Sequence, residues 1–143
     1  LKRLTTSIFV ESEPHWVWRL VADPRRHPEW QPDLIAVSHV RGEGTGANAE
    51  WTRSHLGVHF HGTTEVLEAE TDRRVVEHDT GAVEAWWTFT FEPEEGGTRV
   101  DAKVDYRLAM LGVMEGALRG RGQHELDASL VKLKALAEHE GRG

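Results

Sequence analysis

At 143 residues with a formal charge of −7, from 24 acidic and 17 basic side chains, the chain has the size of one domain and lacks the concentrated basic surface that a sequence-independent grip on phosphate backbones requires. It contains no cysteine, which excludes a disulfide framework, a thiolate nucleophile and a zinc–thiolate centre, and which fits a reducing, cytoplasmic setting. No apolar run approaches the ~20 residues of a membrane-spanning helix, and Leu1–Thr6 carry no secretory apolar segment, although a start at Leu1 leaves a trimmed leader open.

Thr6–Val10 reads as a short strand. Ser12 is then placed to cap a helix that carries Trp16, Val17, Leu20 and Val21, with Glu13 and Pro14 in its first turn, where an acid and a proline are both favoured. Pro24, Pro28 and Pro32 forbid a long helix in the next segment but allow a single turn. Strands are predicted over 34–41, 48–55, 58–69 and 75–80, each followed by turn residues such as Gly42-Glu43-Gly44, Gly57, Thr71-Asp72-Arg73 and Gly81. Two strongly alternating strands follow, joined at Glu94-Glu95-Gly96-Gly97. Val83, Ala85, Trp87, Phe89 and Phe91 share a face of the first, and Val100, Ala102, Val104, Tyr106 and Leu108 a face of the second. The short links imply antiparallel pairing throughout. With no repeat, low-complexity tract or linker, residues 1–143 read as a single domain.

The last segment is helical, but its apolar residues point two ways. At about 100° per residue, Leu111, Met114 and Leu118 centre roughly 90° from Leu126, Leu130, Leu133 and Ala137. Gly120-Arg121-Gly122 lies between the two sets, so a kink or break is expected there, and Gly112 and Gly116 would let the first half move as a gate. Alternatively, the glycines bring the helix backbone close to the sheet.

Strand parity nominates a pocket wall. Trp51 shares a face with Ala49 and Arg53, Phe60 with Val58, Gly62, Thr64 and Val66, and Val76 with His78. If these faces all look inward, Trp51, Phe60, Trp87 and Phe89 form an aromatic wall with Arg53, His78 and Tyr106 as its polar points. An ordinary filled core explains the same wall, a surface arginine beside a bulge explains Arg53, and a core hydrogen bond explains His78. His59, His61 and Glu65 form a His-x-His-x3-Glu motif that resembles the first metal motif of the cupins. The bracketing glycines are missing, with Arg53 and Asp72 in their places. Val58, Phe60 and Val66 claim the core face, so the histidines read as exposed and no metal or cofactor is expected. No phosphate loop, dinucleotide fingerprint or Gly-x-Ser-x-Gly elbow occurs.

The order of a strand, two short helices, six antiparallel strands and a long terminal helix resembles the helix-grip fold of the START/Bet v1-like superfamily, and specifically its polyketide cyclase/dehydrase-like branch. Glu13-Pro14, Trp18 and the run from Asp23-Pro24 to Trp30-Gln31-Pro32 carry the resemblance. It implies an α+β fold, with a seven-stranded curved antiparallel sheet around the C-terminal helix and two short helices between strands 1 and 2. It also implies a small hydrophobic ligand, lipid-like, aromatic or polyketide-like, held between sheet and helix. On that reading the ligand contacts are Trp30, Trp51, Phe60, His78, Trp87, Phe89, Tyr106, Met114, Leu118 and Gly122. The alternative is a polyketide aromatase/cyclase or dehydratase using Tyr106, His78 and Arg53 to move protons and hold an oxygen. A chaperone-regulator role is a further alternative, with outward-facing Trp86 and Trp16 or Trp18 as its surface; such a tryptophan suits a homodimer contact equally well. Nucleic acid is not among the expected partners.

Overall fold

Five successive hairpins dictate the topology. In the computed structural model, which describes residues 1–108 and 113–142, with the backbone alone for 108 and 113–119, the strands are β1 (Lys2–Val10), β2 (Leu34–Arg41), β3 (Asn48–His55), β4 (Val58–Glu70), β5 (Arg74–Gly81), β6 (Val83–Glu94) and β7 (Gly97–Leu108). They form one sheet in the order β1-β7-β6-β5-β4-β3-β2, every pair antiparallel. Among the described residues, only the β1–β7 pairing is non-local. Between β1 and β2 lie helix α1 (Pro14–Ala22) and a 3-10 turn (Pro24–Glu29), and the chain closes with helix α2 (Val113–Arg142). This is the helix-grip fold: a curved sheet holding a long terminal helix.

The local signals mostly act as read. Pro14 starts α1 with its fixed φ and missing donor. Ser12 does not cap it: Glu13 occupies that position without a side-chain bond, and the Ser12 hydroxyl is buried with no hydrogen-bond partner among the described residues. The capping role falls instead to Asp23, whose carboxylate accepts from the Arg25 backbone N–H (3.0 Å) at the start of the 3-10 turn. At the β3–β4 turn Leu56 and Gly57 both have positive φ, +52° and +77°, as a two-residue hairpin turn demands.

The core forms where the sheet meets α1 and α2. Phe89, Phe91, Val100 and Ala102 face Val17, Leu20 and Val21 of α1 and Leu126, Leu130, Leu133 and Ala137 of α2, all buried. Contrary to expectation, α2 is not broken at Gly120-Arg121-Gly122; it runs as one helix of 30 residues. The reason is close approach: a Cβ on Gly122 would come within 3.0 Å of Leu4 Cδ1, so this glycine lets the helix lie against β1. Leu111 and Gly112 are outside the described residues, as are the side chains of Met114 and Leu118 and the surroundings of Gly116. The far end of α2 is tied to the first helices. Arg26 Nη2 bonds Glu140 at 2.5 Å, Arg19 bonds the same carboxylate, and these bonds, that of Arg26 foremost, hold Glu140 below the usual carboxylate range.

On β5 the observed parity is the reverse of that expected. Val75, Glu77 and Asp79 are buried on the inner face, while Val76 and His78 look outward. Two acids on the inner face defeat a hydropathy reading of this strand. His78 stacks on Trp86 (4.7 Å between ring centroids) and meets Glu84 at 3.0 Å on the outside of the sheet, so it is not a pocket residue.

Candidate functional site

Between the sheet and the middle of α2 lies a cavity of about 140 Å³. One side is apolar: Leu4 of β1, Val104 and Tyr106 of β7, Val83, Ala85 and Trp87 of β6, Trp51 of β3, Phe60 of β4, and Gly122 and Leu126 of α2. The aromatic positions are fixed by specific contacts. Trp51 donates its indole N–H to the Thr63 carbonyl (3.0 Å), and its ring lies over Gly62, where a Cβ would stand 2.1 Å from Cζ2. Trp87 stacks in parallel on Phe89 at 6.2 Å.

The other end is polar, and of its charged groups the sequence singled out only Arg53. Arg53 Nη1 donates to both oxygens of Asp33 at 3.1 Å, and Nη2 donates to Gln31 Oε1 at 2.8 Å. The guanidinium also stands 5.5 Å from the Trp51 ring and 5.6 Å from the Trp87 ring. Asp79 Oδ2 accepts the Trp87 indole N–H at 2.9 Å and lies 3.8 Å from Arg53 Nη2. Burial raises the Asp79 pKa above the usual aspartate value; Arg53 opposes the shift and Glu77 adds to it. His55 Nε2 is 3.4 Å from Asp33 Oδ2, and its Nδ1 is buried without a partner among the described residues. From α2, Glu125 and Ser129 complete the lining.

Behind this end, outside the cavity, sits a second buried pair. His27 Nε2 donates to the Val21 carbonyl (2.8 Å) and lies 3.3 Å from Glu77 Oε1, which has no hydrogen-bond partner of good geometry among the described residues. Burial disfavours the imidazolium, but the Glu77 charge, the contacts to Glu77 and Val21 and the more distant Asp79 together outweigh it, so the His27 pKa is raised.

Of the residues expected at a pocket, Trp51, Arg53, Phe60, Trp87, Tyr106 and Gly122 line this cavity. Trp30 and Phe89 do not: Trp30 is fully buried, with its indole on the Leu20 carbonyl (3.1 Å), and Phe89 packs edge-on against it at 5.8 Å, so both belong to the solid core. His78 is on the opposite face of the sheet. Met114 and Leu118 lie outside the described side chains. His59, His61 and Glu65 are exposed, with His61 on the Thr52 hydroxyl at 3.1 Å. Trp86 faces outward beneath Arg107 (5.5 Å), and Trp16 lies beneath Arg19 (4.5 Å). Sequence reasoning missed Asp33, His55, Asp79, Glu125 and Ser129. The one available signal was that Val75, Glu77 and Asp79 alternate as regularly as Val76 and His78.

The model of the family described as "Polyketide cyclase / dehydrase and lipid transport" matches residues 2–138. Solved structures share the fold over nearly the whole chain. TTHA0849 from Thermus thermophilus superposes with a TM-score of 0.81 at 21% identity, covering 95% of this chain and 97% of that one. The Zhui aromatase/cyclase from Streptomyces sp. R1128 does so with a TM-score of 0.81 at 15% identity, covering 96% and 93%. Ara h 8.0201 gives 0.72 at 10% identity, covering 95% and 97%. No curated protein sequence matches the chain.

Proposed function

The chain belongs to the polyketide cyclase/dehydrase and lipid-transport family, and from that premise we propose that it binds a small apolar or aromatic molecule between the sheet and α2. The cavity carries this reading. Its volume of about 140 Å³ is close to the ~150 Å³ of an engineered apolar cavity that admits benzene, and aromatic walls with a few polar groups at one end are what small-molecule sites usually offer. Among the described residues no helix is long and apolar enough to cross a membrane.

Cyclase or dehydratase activity is the second reading, and Asp79 favours it. A carboxyl whose pKa burial has raised, in the same cavity as Tyr106, is suited to give or take a proton from a polyketide-like chain. Turnover lost in Asp79→Asn and Tyr106→Phe would support this reading.

Titration of tryptophan emission with toluene tests the first reading. Saturable quenching without product is expected. Trp87→Ala should weaken binding about tenfold, or 1.4 kcal/mol, whereas Trp86→Ala, on the outer face, should leave it within about twofold. Emptying the Trp87 site also threatens stability by up to ~3–5 kcal/mol, so melting curves accompany the titration. Equal losses from the two variants, or no saturable binding at all, would refute the proposal.

A further inference from the structure

The polar end of the cavity has a lopsided charge balance. Asp33, Asp79 and Glu125 bring three carboxyls to the lining, against the guanidinium of Arg53 and the imidazole of His55, with the half-exposed Arg121 standing 3.5 Å from Glu125. These groups are enclosed: 13% of the Arg53 side chain is exposed, 10% of Asp33 and 8% of Asp79. Arg53 is also already engaged, since Nη1 is held by both oxygens of Asp33 and Nη2 by Gln31 and, more distantly, Asp79. A carboxylate entering from the apolar side would find the guanidinium already committed and would face the Asp79 carboxyl directly, a repulsion that low-dielectric surroundings magnify. An entering ammonium would stand beside the Arg53 guanidinium, which already lies against the Trp51 and Trp87 rings, like charge against like. A hydroxyl carries no charge and supplies the hydrogen bond that Asp79 can accept. Asp79 Oδ2 takes the Trp87 indole, and no described residue gives its other oxygen a hydrogen bond of good geometry. The Thr64 hydroxyl, opposite Asp79 across the β4–β5 ladder, is buried with no hydrogen bond of good geometry among the described residues, and its nearness to the Asp79 carboxyl opposes the upward shift of that group.

We propose that this cavity selects a neutral ligand bearing a phenolic or alcoholic hydroxyl, which donates to Asp79, and rejects the corresponding carboxylate. The inference rests on the ligand-binding reading above and narrows its ligand class. The charged end therefore acts as a filter, with Asp33 keeping Arg53 from serving as an anion site.

Three probes of one shape test it: para-cresol, para-toluate and toluene, titrated near pH 7, where a phenol of pKa ~10 is neutral and a carboxyl of pKa ~4 is ionised. Para-cresol is expected to bind at least about tenfold tighter than para-toluate. The ratio of the two affinities is the quantity read, so a general loss of affinity in a variant cancels. Asp79→Asn should shrink that ratio severalfold. Asp33→Asn, a separate route should the first variant fold poorly, should free the guanidinium and shrink it by strengthening para-toluate. Toluene bound with para-toluate equal to or tighter than para-cresol would overturn the selectivity and leave the cavity reading standing. A ratio unmoved by both substitutions would overturn the assignment to these residues. Binding of none of the three probes would overturn the ligand-binding reading and this inference with it.

Discussion

Replacing Gly62 with alanine should damage the cavity wall from behind. The added Cβ would lie 2.1 Å from Trp51 Cζ2, 2.6 Å from Cε2 and 2.2 Å from the Thr80 carbonyl oxygen, whereas carbon atoms pack best at about 3.5–4.0 Å. The indole must retreat by more than about 1 Å, giving up or bending its bond to the Thr63 carbonyl. Overpacking of this kind costs about 1–3 kcal/mol and the lost hydrogen bond about 1 kcal/mol more. The sum, about 2–4 kcal/mol, corresponds to a melting temperature lower by roughly 5–15 °C for a domain of this size. Urea denaturation of wild type, Gly62→Ala, Trp51→Leu and the double variant measures both the cost and its origin. Because the ring and the added methyl compete for one space, the two substitutions should couple by about 0.5–3 kcal/mol. Part of the cost should persist in the double variant, since the Thr80 carbonyl remains. A Gly62→Ala protein within about 0.5 kcal/mol of wild type, or strictly additive losses, would refute the packing described here.

The buried His27–Glu77 pair makes stability depend on pH in a definite direction. The folded-state pKa of His27 is raised above the ordinary histidine value of about 6.5, so its stabilising contribution is fully present below about pH 6.5 and is lost as pH rises through the folded value. Denaturation at a series of pH values should therefore show wild type losing its advantage over His27→Gln on going from mildly acidic to alkaline solution; a difference that stays constant or grows would contradict this. At the β3–β4 turn, Leu56 is 59% exposed and held at φ +52°, a conformation that asparagine tolerates better than leucine. Leu56→Asn should raise stability by about 0.5–1 kcal/mol, and a lowered urea midpoint would show that Leu56 contributes something other than its strained backbone.

The sequence was a good guide wherever a single physical signal dominated. Period-2 alternation placed the inner faces of β6 and β7, since Ala85, Phe89, Val100 and Ala102 can only be satisfied inside. The period of Leu126, Leu130, Leu133 and Ala137 placed the buried stripe of α2. Turn residues and short links established the antiparallel order from β2 to β7. Signals that compete or act at a distance were not legible. A glycine pair that reads as a helix breaker is, at Gly122, the place where α2 meets Leu4. Ser12 has the chemistry of a cap, but the chain carries its hydroxyl into the interior.

The divide is clearest at the site. Alternation along each strand nominated Trp51, Phe60, Trp87 and Tyr106 for one inward surface, on the condition that the chosen faces all look the same way. It could not determine the inner face of β5, where hydropathy sends Glu77 and Asp79 to water. Those acids are tolerable inside only because Arg53 arrives from β3 and His27 from the turn after α1, and such partners meet only after the strands have paired and the helices have docked. Burying a charge is decided by its neighbours in space, so the apolar wall was written in the sequence while the polar end of the cavity was decided by the tertiary structure.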